Sequence, residues 1–142
     1  MIKSIFNYVK DYATNHLMIN SFNYGDNFNI IKTGEDQYPQ MFLEYPFTIN
    51  YIQKYKDITF AVYFIELPNE SGTDDIDLLE KVEHLNDVFL MKMDLLDHEE
   101  FSSLVSSNSL TLTEAFGDKV VAIRTEITLR VLRDLNACQE PI

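Results

Sequence analysis

The chain has 142 residues, the size of one domain, and its hydrophobic content of 46%, with 10 Phe and 8 Tyr, excludes a disordered chain. It carries 11 Lys and Arg against 23 Asp and Glu, and the net charge of −12 argues against sequence-specific nucleic-acid binding. The one cysteine, Cys138, excludes an internal disulfide, and the sequence has neither a signal-peptide pattern nor an apolar run that could cross a membrane. We therefore expect a single soluble domain, 1–142, that is made in the cytoplasm.

The N-terminal segment predicts a helix followed by a hairpin. Apolar residues recur at three- and four-residue spacing from Ile2 to Leu17, which indicates an amphipathic helix that ends near 14–16. Two short strands are expected next, at 17–23 and 27–33, because a turn rich in Gly, Asp and Asn separates them.

The middle of the chain predicts further strands. Residues 41–44 and 47–53 are strand-like on either side of Pro46, which cannot donate a ladder hydrogen bond. A turn is expected at 55–57. The strand that follows, 58–67, is apolar at almost every position, which is typical of a central strand covered on both faces.

A long helix is expected at 75–95, after a polar loop. Thr73 or Asp74 can cap its N-terminus, where the helix macrodipole also favours acidic residues. The segment 97–107 fits either a short helix or a loop. The predicted core stripe of the long helix consists of Ile76, Leu79, Val82, Phe89 and Met93, widened by Leu78, Leu85, Leu90 and Leu96.

Two strands complete the chain, at 109–116 and 119–132, with a tight turn at Gly117 and Asp118. The second alternates strictly, so that one side meets the core and the other meets water or a partner. A polar tail begins at about 134. The predicted fold class is α+β: a mostly antiparallel sheet with an N-terminal helix and one long central helix packed on it.

Acidic residues concentrate on the long helix. Between Glu66 and Glu100 the chain has twelve acids and only two lysines, Lys81 and Lys92. Such a concentration indicates either an electrostatic surface or an ordinary solvated helix. The candidate acidic surface consists of Asp74, Asp75, Asp77, Glu80, Glu83 and Asp87.

No residue pattern points to catalysis or to a bound cofactor. The three histidines, His16, His84 and His98, have no metal-ligand spacing, and the acids lack the spacing and central glycine of a calcium-binding loop. Cys138 has no histidine near it in sequence, and no glycine-rich nucleotide motif occurs. We therefore expect a protein that is not an enzyme, with no catalytic residue, no metal and no cofactor.

Aromatic residues cluster between 38 and 55, and they fit either the core of a sheet or the centre of a subunit interface. A small domain cannot bury both faces of every strand, so some of them are expected to contact another subunit. The candidate interface residues are Tyr45, Phe47, Tyr51 and Tyr55.

The order of elements resembles that of the tail-terminator and neck-ring proteins of tailed bacteriophages, with crAss-like phage virion proteins as the nearest look-alikes. Three passages carry the resemblance: the segment HLMINSFNYGDNFNIIKTGEDQYPQMFLEYP after the first helix, the strand, loop and helix DITFAVYFIELPNESGTDDIDLLEKVEHLNDVFLMKMDLL, and the closing strand FGDKVVAIRTEITLRVLRDLNACQEP. These passages cover most of the chain and share layout with that family, not a catalytic motif.

The resemblance implies a structural virion protein: a homo-oligomeric ring at the head–tail junction, in contact with neck, portal or tail proteins, through which DNA passes. An acidic lumen suits that task because like charge keeps DNA from sticking, and the helix 75–95 is a candidate for lining it. The alternative is an acidic adaptor or inhibitor that binds a basic partner in a salt-dependent manner. A third hypothesis, a small enzyme that uses His84 or His98, requires a pocket near either histidine.

Overall fold

The structure, a computed structural model, describes residues 2–26, 38–67, 75–95, 103–113 and 120–133. Within these ranges the chain forms two helices and five strands. In chain order these are α1 (Ile2–Asn15), β1 (Ser21–Gly25), β2 (Gln40–Ile52), β3 (Tyr55–Glu66), α2 (Asp75–Leu95), β4 (Ser103–Thr113) and β5 (Val121–Leu132).

The five strands form one sheet in the order β1-β2-β3-β5-β4. The β2–β3, β3–β5 and β4–β5 pairs are antiparallel, and only β1 pairs with its neighbour β2 in parallel. The predicted α+β fold, with a mostly antiparallel sheet, an N-terminal helix and a long central helix, is therefore confirmed. Strand β4 lies at an edge of the sheet, on the outer side of β5.

Both helices pack on the same face of the sheet. The core between the helices and the sheet buries apolar side chains from α1, α2 and the facing sides of β2, β3 and β5. Phe89 of α2 lies at its centre, with its ring 4.9 Å from Tyr12 of α1 and 5.9 Å from Phe64 of β3. The largest fully buried side chains in this core are Ile5, Met41, Leu43, Ile58, Phe64, Leu85, Phe89, Ile127 and Leu129.

The alternation predicted for the last strand is confirmed in β5. Its odd-numbered side chains, from Val121 to Val131, are buried under α2, while Glu126 is exposed and Arg124 and Arg130 are half-buried on the opposite face. The prediction that β3 is covered on both faces holds for its second half, where every residue from Phe60 to Glu66 is buried.

The predicted turn at 55–57 is wrong, because those residues already belong to β3. The β2–β3 hairpin turns at Gln53 and Lys54 instead, and Gln53 adopts a positive φ of 49°. Asp57, a favourable turn residue by type, is held in the strand by Arg130, whose Nε lies 2.9 Å from its carboxylate. A long-range ion pair therefore overrides local turn chemistry.

The first strand also differs from its prediction. It begins at Ser21 and not at Leu17, which is 98% exposed and makes no strand pair. It also pairs in parallel with β2. Phe22 and Tyr24 of β1 pack their rings against Phe6 of α1, and these contacts place the strand beside β2. The second strand of the predicted hairpin, 27–33, lies outside the described residues.

The two strands predicted around Pro46 form one strand, β2, whose pairing with β3 shifts between Glu44 and Thr48. Proline is tolerated there because a bulge leaves its missing N–H outside the ladder. The segment expected to be a helix or a loop before Ser109 is also strand: β4 starts at Ser103 and pairs with β5 along its length. Its serines and threonines look like loop composition, but the pairing with β5 holds them extended.

Candidate functional site

The acidic surface predicted on α2 is exposed. Helix α2 begins and ends where the sequence predicts, at Asp75–Leu95. Asp77, Glu80, Glu83 and Asp87 all lie on its solvent side, and Asp94 extends the row toward the C-terminal end. We call these five residues the acidic face. Asp74 lies outside the described residues, as does the side chain of Asp75.

None of the five carboxylates of the acidic face forms an ion pair within the described ranges. The two lysines of α2 are directed to other groups. Lys81 Nζ lies 2.8 Å from the carboxylate of Glu66 at the end of β3, and Lys92 Nζ lies 5.6 Å from the centroid of the Tyr12 ring. The helix therefore directs its positive charge toward the sheet and α1, and leaves its negative charge toward solvent.

The prediction of the core stripe is wrong for one residue, which is exposed. Ile76 is 66% exposed, whereas Leu78, Val82, Phe89 and Met93 are buried. Residues two apart on a helix point in nearly opposite directions, so burying Leu78 against the sheet turns Ile76 outward. The acidic face therefore has an apolar residue at its N-terminal end and a second, Met91, which is 55% exposed, near its C-terminal end.

Two of the four predicted interface aromatics line an open apolar groove of about 510 Å³ between α1, β1 and the bulge of β2. Tyr45 is 43% exposed and lies 6.2 Å from the ring of Tyr24, while Phe47 is half-buried and stacks 5.4 Å from Phe60 of the core. The residues lining this groove are Ile2, Lys3, Phe6, Tyr24, Leu43, Tyr45, Pro46 and Phe47.

The other two aromatics flank the β2–β3 turn, which we call the hairpin tip. Tyr51 is 60% exposed and Tyr55 41% exposed. Each ring makes a cation–π contact with an arginine at or directly after the C-terminal end of β5. The guanidinium of Arg133 lies 5.1 Å from the Tyr51 centroid, and that of Arg130 lies 5.8 Å from the Tyr55 centroid. Together with the exposed Lys54, these contacts make the hairpin tip aromatic and basic.

The predicted aromatics thus lie in two places rather than in one patch. Tyr51 and Tyr55 occupy opposite faces of the sheet, since Tyr51 pairs with Lys56 and Tyr55 pairs with Ile52. Phe47, Ile49 and Tyr51 lie on one face of the sheet, because every second side chain of a strand points the same way. The groove and the Tyr51 side of the hairpin tip therefore share a face. A subunit that binds this face can therefore contact both the groove and Tyr51.

The face of the sheet opposite the helices carries a polar cluster that sequence reasoning missed. Arg124 Nη2 lies 2.9 Å from the carboxylate of Glu44, and its Nε donates to the Tyr63 hydroxyl at 3.1 Å. That hydroxyl donates in turn to Glu44 at 3.1 Å. The alternation of β5 predicts which way Arg124 points, but Glu44 is separated from it by 80 positions in sequence, and no local signal links the two.

The surroundings of the polar cluster shift the pKa values of two of its members. Burial, reinforced by the negative charge of Glu44, raises the pKa of Tyr63 to about 12. Burial alone lowers the pKa of Arg124, but its hydrogen bonds and charge contact with Glu44 outweigh that and raise it. The three side chains bind one another across β2, β3 and β5, an arrangement that has the chemistry of a structural brace.

The histidines do not converge with other chemistry in the described part of the chain. His84 is exposed on α2, and His98 lies outside the described residues. His16 accepts a hydrogen bond at Nδ1 from the backbone N–H of Met18, and burial followed by the charge of Lys92 lowers its pKa. No group of three His, Cys, Asp or Glu side chains with metal-binding geometry occurs among the described residues.

Neither helix of the described ranges combines the length and the hydropathy needed to span a bilayer.

Comparison with known proteins assigns no family: no protein-family model matches the chain, and no curated protein has significant sequence similarity to it. The candidate functional features are therefore the acidic face, the apolar groove and the hairpin tip.

Proposed function

We propose that this chain is the subunit of a homo-oligomeric ring at the head–tail junction of a tailed bacteriophage, and that DNA passes through the ring. The observation that carries the proposal is the acidic face: five exposed carboxylates in a row on an ordered helix, none of them in an ion pair with another described residue. The resemblance of the element order to phage neck and tail-terminator proteins supplies the setting.

The acidic face suits a surface that faces DNA without binding it. Helix α2 has 21 residues and so extends for about 32 Å, enough to present its charge along several base pairs. Because no lysine or arginine of the described ranges neutralises these carboxylates, their charge repels phosphates within a screening length of about 8 Å at physiological ionic strength. A channel wall of this kind lets DNA slide.

Contacts between neighbouring subunits are best supported at the groove and the hairpin tip. Both expose aromatic side chains, and aromatic residues are enriched at the buried centres of protein interfaces. A contact between these surfaces and a different surface of the next copy is head-to-tail, and such contacts close into a ring when the rotation between copies allows it.

The first experiment measures assembly. Purified protein examined by light scattering and electron microscopy is expected to form a closed ring of defined mass. Tyr45→Ala and Tyr51→Ala are expected to weaken the assembly, because truncating an interface anchor costs more than about 1 kcal/mol. Leu17→Ala is the control, since Leu17 is 98% exposed and lies outside both surfaces.

The second experiment measures DNA adhesion to the assembled ring. Glu80→Gln with Asp87→Asn removes two charges from the acidic face, and it is expected to leave the ring mass unchanged while increasing DNA retention. Asp11→Asn with Asp26→Asn removes the same charge from exposed positions outside α2, and it is expected to increase retention less. Equal retention by the two double variants would remove the acidic face from the DNA path.

The acidic face also favours a second candidate, an adaptor or inhibitor that binds a basic partner. That candidate requires the carboxylates to attract a ligand, so affinity for a lysine-rich peptide falls as salt rises and is lost when Asp77, Glu80 and Glu83 are neutralised. A monomeric protein that binds the peptide in this way supports the adaptor. A ring that does not bind it supports the structural subunit.

A further inference from the structure

Strand β4 is an edge strand without the charge, proline or short length that normally keeps edges apart, although a bulge interrupts its pairing between Leu104 and Ser106. Its eleven residues, Ser103–Thr113, include no charged residue, no proline and no glycine. The neighbouring strands β2, β3 and β5 all carry charges. Soluble proteins usually protect an edge with charged side chains, proline or very short length, because its unpaired backbone groups pair readily with another strand.

Within the described chain, the outer edge of β4 is open to a partner. One side of β4 pairs with β5 from Ser103 to Thr113, and no other strand of the described chain lies beyond it. The side chains from Val105 to Thr111 are exposed on both faces, and Leu110 is 63% exposed. A strand can therefore be added at this edge without displacing a side chain of the described chain.

The missing charge indicates what the partner is. Two copies of a chain with a net charge of −12 repel each other over most of their surfaces, and a contact between copies is favoured where charge is absent. In an antiparallel pair of identical strands each residue lies opposite a residue of the same strand, and a charged strand would place like charges opposite each other. An uncharged strand avoids this cost.

We infer that β4 pairs antiparallel with β4 of a second copy, joining two five-stranded sheets across a two-fold axis. This contact closes at two copies, so it is separate from the head-to-tail contact of the proposed ring and does not depend on it. A two-fold axis perpendicular to the sheet keeps both α2 helices on the same face. Their acidic faces then oppose the dimer through space, and salt strengthens it by screening them.

Charge-swapped edge variants test the contact. Asn108→Lys with Leu110→Lys, and Asn108→Glu with Leu110→Glu, put two charges at the middle of β4. The two variants are matched within the chain, because residue 108 faces Glu126 and residue 110 faces Arg124 in β5, so each variant gains one like and one opposite neighbour. The readouts are dimer mass by sedimentation and the hydrogen exchange of the β4 amides.

The wild-type chain is expected to dimerise more tightly as salt rises, with β4 amides protected as protein concentration increases. Each charged variant alone dimerises at least about tenfold more weakly, a change of about 1.4 kcal/mol. An equimolar mixture of the Lys and Glu variants restores the dimer. Asn7→Lys with Leu17→Lys, which adds the same charge on exposed positions outside β4, leaves it unchanged.

A wild-type chain that is monomeric at every concentration and salt would overturn the inference, as would charged variants that dimerise normally or a mixture that shows no recovery. The ring proposal fails separately. Tyr45→Ala acts on the ring and leaves the β4 dimer intact, whereas the edge variants act on the dimer and leave the ring contact intact.

Discussion

Single polar residues under α2 illustrate how this fold tolerates buried hydrogen-bonding groups. Thr125 of β5 is fully buried, and its hydroxyl donates to the Asn86 side-chain carbonyl at 2.7 Å. Asn86 in turn donates to the Ser109 hydroxyl at 3.2 Å, and the Ser109 and Thr125 hydroxyls are 2.7 Å apart. The three side chains satisfy one another and tie α2, β5 and β4 together.

Asn86→Ala is expected to lower the free energy of unfolding by about 1 to 3 kcal/mol, because it leaves the Thr125 hydroxyl with one buried partner fewer. Chemical denaturation measures the change. Asp87→Ala, at the next and exposed position of the same helix, is the control and is expected to change stability by no more than about 0.5 kcal/mol. Equal effects of the two substitutions would contradict the role given to the buried network.

His16 gives the fold a pH dependence of known sign. Its folded-state pKa lies below the ordinary value of 6.5, chiefly through burial. The unfolded chain therefore takes up the proton first, and stability falls as pH drops below about 6.5. We expect the free energy of unfolding of the wild type, relative to His16→Gln, to decrease between about pH 7.5 and about pH 5. A difference that is flat or that rises over this range would contradict the assignment.

Residue-scale partners are the part of this structure that the sequence predicts least. The alternation of β5 correctly places Arg124 and Arg130 on the face opposite the helices, since the period of a strand is local. Their partners Glu44 and Asp57 lie 80 and 73 positions away, and no local pattern selects them. Asp57 even suggests a turn by its type, and only its contact with Arg130 explains why it lies in a strand.

At the scale of elements, Phe89 joins three of them. Its ring lies near Tyr8 and Tyr12 of α1 and near Phe64 of β3, and it is fully buried. The pairs of rings have tilted or edge-to-face arrangements, which add stability beyond the apolar area that they bury. Helix α1 therefore depends on α2 as well as on the sheet.

Phe89→Ala is expected to cost about 3 to 5 kcal/mol of the free energy of unfolding, through lost burial and a residual cavity. Phe89→Leu is the milder variant and is expected to remain folded with a smaller loss. Met91→Ala, on the exposed side of the same helix, is the control. Denaturant unfolding of the three variants distinguishes a packing role from a general sensitivity of α2, which would lower the stability of all three alike.

The boundaries of both helices follow from the sequence, whereas those of β1 and β4 do not. Apolar spacing predicts α1 and α2 because an amphipathic stripe is local information. Strand β4 is rich in serine and threonine and has little alternation in hydropathy, so its first half suggests a loop. It becomes a strand only through pairing with β5, and β1 becomes a parallel strand only through packing on Phe6.

At the scale of the whole molecule, charge and aromatic surface are separated. The acidic face lies on the outside of α2, and the groove and hairpin tip hold exposed aromatics with Lys3, Lys54 and the terminal arginines of β5. The sequence predicts both sets of residues, and Asp77, Glu80, Glu83 and Asp87 of the predicted acidic surface are exposed. It does not predict that the aromatics divide between two sites, since that depends on the bulge at Pro46 and on the turn at Gln53.

Because the acidic face and the aromatic surfaces are separate, the modes of association are expected to respond differently to salt. The ring contact, held by aromatic side chains, is expected to be insensitive to ionic strength, because burial of apolar area is not screened. The β4 dimer is expected to tighten with salt, and an adaptor bound to a basic partner is expected to loosen. Ionic strength therefore distinguishes the three modes of association in one series of measurements.

The mass of the purified chain is the measurement that decides whether it forms the phage ring that we propose. Light scattering is expected to give a discrete mass several times that of the monomer, with closed rings visible by electron microscopy and the chain detectable in purified phage particles. A protein that stays monomeric at high concentration and is absent from those particles would contradict the claim.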